Sequence, residues 1–181
     1  MTFGVTTSST NAGPAVTTTP PVALHPISGY AASQSPPAII SPGVIGQAAA
    51  DKLTLTADQN DNIILFDALA GSTITLPPAT GSGAKYKFVV ATVCTSNSHK
   101  VITDNSKDFM AGVAFLEASA TVTGYVAAAA STRSVNLNAT TTGGLSIGDS
   151  FVLQDIELAL WHVSSFMGSA SGTVATPFAT S

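Results

Sequence analysis

The chain has 181 residues, of which 9% are charged and 45% hydrophobic, and its net charge is −4. That length allows one domain with a real core, or a smaller domain plus an arm. Six scattered Lys and Arg form no phosphate-binding footprint, which argues against nucleic acid as a partner. So few charges leave a surface that partners cover, or one that Ser and Thr hydroxyls keep in solution.

Residues 1–50 contain no Asp, Glu, Lys or Arg, and they hold seven of the ten prolines. The opening MTFGVTTSST has neither a basic residue nor an apolar run, so no secretory signal is expected. Pro20-Pro21, Pro26, Pro36-Pro37 and Pro42 forbid a continuous helix and favour extended backbone. Disordered tails ordinarily stay solvated through high charge. This segment has none, and it carries apolar stations at Val22 and Leu24, Tyr30, Ile39 and Ile40, and Val44 and Ile45. The reading is a long extended N-terminal arm, with those seven residues as its contacts on a partner. Fully stretched it spans on the order of 150 Å. The alternative is a tether that touches nothing.

All sixteen charges lie from Asp51 onward, where short alternating runs begin. Strands are predicted at Lys52–Thr56, Ile63–Phe66, Thr73–Leu76, Tyr86–Val93, Lys100–Thr103, Met110–Glu117, Thr121–Val126 and Ser134–Leu137, with Gly, Pro, Asn and Asp between them. Tyr86, Phe88 and Val90 share one face by alternation. Ala127–Ala130 allows one helical turn. The lone Cys94 permits no internal disulfide, and it reads as a small apolar residue in a strand.

Leu145 to Phe166 organises the rest. Gly148-Asp149 marks a turn, Phe151 and Leu153 alternate with Val152 and Gln154, Asp155-Ile156-Glu157 interrupts the run, and Leu158–Ser164 alternates again. This predicts a β-hairpin whose Trp161 faces away from Leu160 and His162. Phe88, Phe151 and Trp161 are the expected core anchors. Residues 167–181 are Gly/Ser/Thr-rich and read as a loosely held tail, or one docked on a neighbour. No internal repeat is visible. The expected fold is all-β, an antiparallel β-sandwich or jelly-roll-like barrel over residues 51–166, with an arm at 1–50 and a tail at 167–181.

No chemistry-bearing constellation stands out. The histidines are His25 in the arm, His99 in a polar turn and His162 on the hairpin, and no G-x-S-x-G elbow accompanies them. Asp155 and Glu157 flank the expected reversal and are predicted to face solvent, which does not suit a carboxylate pair across a cleft. Asp58, Asn60, Asp61 and Asn62 could offer oxygen ligands to a cation. They lack the Gly and distal Glu of the helix-loop-helix calcium motif, so an Asn/Asp-rich turn is the simpler reading. No Cys/His set suits zinc and no apolar run of about 18 residues suggests a membrane span. The expectation is a non-enzyme without cofactor.

Two blocks resemble a known set of proteins. LTLTADQNDNIILFDALAGSTITLPPATGSGAKYKFVV (53–90) has TITLPPATGSG leading into an aromatic strand. TTTGGLSIGDSFVLQDIELALWHV (140–163) has TTGGL-x-x-GD before an aromatic strand, an acidic turn and a Trp strand. Together they resemble small tailed-phage virion proteins, especially the decoration (cement) proteins of capsid exteriors. The resemblance covers most of 51–181 and none of the arm. It implies a structural protein on the outer capsid surface, bound to the major capsid protein of its virion, homo-oligomeric and often trimeric, and assembled in a host cytoplasm. A tail-fibre or receptor-binding module that grips glycans is the alternative. That reading needs exposed aromatics at loop tips, for which Tyr125 and Phe109 are the candidates.

Overall fold

The computed structural model describes the backbone of residues 44–47 and the whole of residues 52–181. Apart from a single 3-10 turn at Ala57–Gln59, its regular structure is β: Val44–Gln47 (β1), Lys52–Thr54 (β2), Ile63–Phe66 (β3), Thr73–Thr75 (β4), Lys85–Val90 (β5), His99–Ile102 (β6), Phe109–Ala118 (β7), Thr121–Ala127 (β8), Ser134–Leu137 (β9), Ser150–Glu157 (β10), Leu160–Ser169 (β11) and Phe178–Ala179 (β12). Seven strands form one sheet in the order β1-β3-β5-β10-β11-β7-β8, and five form the other in the order β12-β9-β6-β4-β2. The all-β, two-sheet architecture is thus the one the strand pattern predicts. Of the expected arm contacts, Val22, Leu24, Tyr30, Ile39 and Ile40 lie outside the described residues. Val44 and Ile45 belong instead to β1, which pairs in parallel with β3, so the sheet begins before Asp51.

The strand directions are mixed. From β1 to β6 successive strands alternate between the two sheets, and each of β1 to β4 pairs in parallel with the strand two places on. The chain therefore winds as a short parallel coil of three turns. Its corners stack as well: Thr95 N–H donates to Leu69 O at 2.9 Å and Asn97 N–H to Ala70 O at 3.2 Å. A Cβ on Gly71 (φ +90°) would stand 2.6 Å from Asn97 O, so this corner closes only over glycine. After β6 the pairing becomes antiparallel in β6–β9, β7–β8, β5–β10 and β10–β11, while β11 runs parallel to β7. Alternation fixes which face a strand buries and is identical for both directions, so the coil leaves no trace in the period of the sequence.

Between the sheets lies a ladder of rings. Phe66, Phe88, Phe151 and Phe166 come from neighbouring strands, with successive centroids 5.9, 4.9 and 4.9 Å apart. The second sheet closes both ends, with His99 stacked on Phe66 at 4.8 Å and Phe178 edge-on to Phe166 at 6.0 Å. Such pairs contribute about 1 kcal/mol each beyond the area they bury. Tyr86 packs against Trp161 at 5.9 Å, and Phe88, Phe151 and Trp161 are all essentially inaccessible. Residues 167–181 are part of this fold. Met167–Ser169 finish β11, Phe178 is buried and pairs with Val135, and Ser134 Oγ donates to Ser181 O at 2.9 Å. Cys94 is buried but sits in the loop after β5, its thiol 3.4 Å from Leu137 O. Ala127 ends β8, and Ala128 begins a turn closed by Thr132 N–H onto Ala128 O.

Candidate interaction face

The hairpin β10–β11 holds the centre of the seven-stranded sheet, pairing with β5 on one side and β7 on the other. Its reversal lies at Leu158-Ala159, two residues beyond the acidic turn expected from sequence, and Ala159 takes φ 64°. Asp155 is an inward-facing strand residue, 1% exposed, which corrects its expected place in solvent; Glu157 is exposed. The Asp155 carboxylate accepts from the backbone N–H groups of Thr80, Gly81 and Ser82 at 2.7–3.1 Å and from the hydroxyls of Thr80 and Ser82. Burial pushes its pKa up, but the donors of Thr80, Ser82 and Gly81 outweigh burial and hold it below the ordinary value. The sequence carried the signal in its parity: 151, 153 and 155 alternate onto one face, and TGS at 80–82 is a loop of small donors. Asp149 clamps the other end of the hairpin, accepting from Ser169 N–H at 2.7 Å and Gly144 N–H at 3.0 Å.

With the inner face filled by rings, the outer face of this sheet carries an unusual load. One cross-strand row runs Leu65, Val89, Ser150, Met167, Phe115, Gly124 from β3 to β8. Leu65 and Val89 are half-buried, while Met167 is 60% and Phe115 46% exposed. Flanking rows add Val113, Val122 and Val126, all exposed. Side chains of this size turned outward on the adjacent strands β11, β7 and β8 bring exposed apolar groups together on one face of the sheet. Its charged groups are few: Lys85 and Lys87 on β5 and Glu117 at the end of β7.

The other sequence candidates fall elsewhere. His99 is buried, its Nε2 2.8 Å from Thr92 O, and burial lowers its pKa despite that hydrogen bond and the Asp67 charge. His162 lies on β11 opposite Gln154, so the described histidines are not brought together. Asp58 is in the 3-10 turn, Asn60 Oδ1 accepts from Lys85 N–H at 2.7 Å, and Asp61 takes φ 61°. This is a turn that ties β2–β3 to β5, and among the described residues no group of three potential metal ligands forms. Phe109 and Tyr125 are strand residues and half-buried, not loop tips: Arg133 covers Phe109 at 5.0 Å, and Tyr125 packs against the core. The polar hollows of about 440 and 500 Å³ beside loop 94–98 have no aromatic wall.

Comparison of the chain with protein-family models, with curated proteins and with solved structures gives no match.

Proposed function

We propose that this chain is a non-catalytic structural protein of a phage virion, of the decoration (cement) type, that binds the outer surface of an assembled head. The apolar outer face of the seven-stranded sheet carries this reading, because it offers a rigid, preformed surface of low charge to a partner. Residues 1–50 carry no charge, a composition of the same chemistry, and the resemblance of 53–90 and 140–163 to cement proteins points the same way. The partner is the major capsid protein. Binding rests on apolar burial, so raising salt roughly tenfold is expected to leave occupancy unchanged. Many identical positions on one shell add avidity.

The test is electron cryo-microscopy of the particle that contains the chain, beside particles assembled with Phe115→Lys/Met167→Lys. Expected is density at symmetric positions on the shell, lost in the variant. Density at the tail tip, or full occupancy by the variant, overturns the proposal.

A further inference from the structure

We infer that β8 is a self-pairing edge through which two copies of this chain join their seven-stranded sheets across a two-fold axis at Gly124. Among the described residues, four strands end the two sheets. Three of them are short: β12 has two residues, β2 has three and includes Lys52, and β1 has four. The fourth, β8, has seven residues, TVTGYVA, with no charge and no proline, and it pairs with β7 in an unbroken register. Natural edge strands are blunted by charge, proline, a bulge or shortness, because an open edge presents unpaired N–H and C=O groups to any passing strand. Among the described residues this edge has none of those devices.

The occupant is read from the strand itself. In an antiparallel pairing centred on Gly124, Val122 of one copy faces Val126 of the other, and Gly124 faces Gly124. No other register gives both valines of each copy a valine partner. The three outward rows then run on into the second molecule: Val113-Val126 onto Val122-Glu117, Met167-Phe115-Gly124 onto its own mirror, and Glu117-Val122 onto Val126-Val113. The Phe115 ring already lies over Gly124, 3.5 Å from where a Cβ would be, so each ring borders the axis with no side chain between the strands. The two Glu117 carboxylates end roughly 20 Å apart, about two screening lengths, so the only charges beside the edge do not oppose the pairing. Valines 61% and 75% exposed in the single chain are shielded on the flank that faces the second copy. This contact needs no shell and stands apart from the capsid reading. It also closes at two, unlike the trimer that the resemblance implies.

The full-length chain is the material for the test. Sedimentation velocity is expected to show a dimer that Val122→Lys/Val126→Lys converts to monomer without changing the far-UV spectrum. Gly124→Cys, whose new side chain meets the Phe115 ring at ordinary contact distance, is expected to give a disulfide-linked dimer under mild oxidation. Val122→Cys is expected to give none, since its mate lies about 14 Å along the strands. A trimer, or a wild-type monomer with β8 shielded by the chain's own N-terminal segment, overturns the inference. So does a dimer that survives the lysines or fails to cross-link at position 124.

Discussion

Single residues set the tolerances of this fold, and glycine and alanine show both signs. Gly112 takes φ +146° on β7, and a Cβ there would stand 2.0 Å from the Val163 carbonyl oxygen of β11. Since backbone must move to admit it, Gly112→Ala is expected to cost about 3 kcal/mol. The β7–β8 reversal has the opposite defect. Ser119 and Ala120 both adopt positive φ (51° and 62°), as a two-residue hairpin turn requires, but Ala incurs the penalty that glycine avoids. Ala120→Gly is expected to stabilise by about 1 kcal/mol, a melting rise of about 3 °C. Urea unfolding of the two variants checks both signs. Acid sensitivity follows from two groups. Asp155 and His99 have folded pKa values lowered from 3.8 and 6.5, so each supports the folded state fully above its unfolded value and withdraws that support as pH falls through the folded one. The urea midpoint is therefore expected to fall below pH 6.5 and again below 3.8. Asp155→Asn, which sets an amide against a loop of donors, is expected to lose about 3 kcal/mol at neutral pH and to remove the lower step. At the alkaline end, burial and the Asp58 and Asp155 charges push the Tyr86 phenol up to about 12. Its contribution is complete below 10 and fades as pH rises toward that value.

At the scale of elements, strands were legible and their partners were not. Ile63–Phe66 and Ser134–Leu137 fall where alternation and turn residues put them, because a half-buried strand needs little beyond period two. The ring ladder was legible only as a set of inward faces, since its order depends on which strands are neighbours. Asp155 misled because acids at a hairpin are usually turn residues, whereas here a loop 73–75 positions away in sequence provides the donors that make burial tolerable. The parity of 151, 153 and 155 marks the inward face locally, but the pairing of that carboxylate with the 80–82 loop is a long-range fact. The proposed docking face is a similar case. Phe115, Met167 and Leu65 each look unremarkable in sequence, and only pairing brings them into one row. Conversely, the apolar character of β8 could be read directly, but whether it was an edge could not.

At the scale of the molecule, two sheets share one core, and the few charges fall mainly on loops and on the outer sides of strands. A domain with little charge repulsion between copies is expected to associate readily, and the outer face and the β8 edge are the surfaces proposed for it. Added salt at constant protein concentration is expected to leave that association intact, as light scattering would check, because ion pairs have almost no part in it.

The parallel coil has one more consequence. In backbone pairing each turn rests on the turn after it: β1 pairs with β3 and β3 with β5, β2 with β4 and β4 with β6, and β5 and β6 join the antiparallel strands β10 and β9. Stability along such a stack behaves as a row of nearest-neighbour couplings, and among the described strands it is expected to unzip from β1. Amide hydrogen exchange should therefore step down in rate from 44–54 to 63–75 to 85–102, a protection gradient that follows the chain. Uniform protection across the three turns would mean that something else holds the first turn in place.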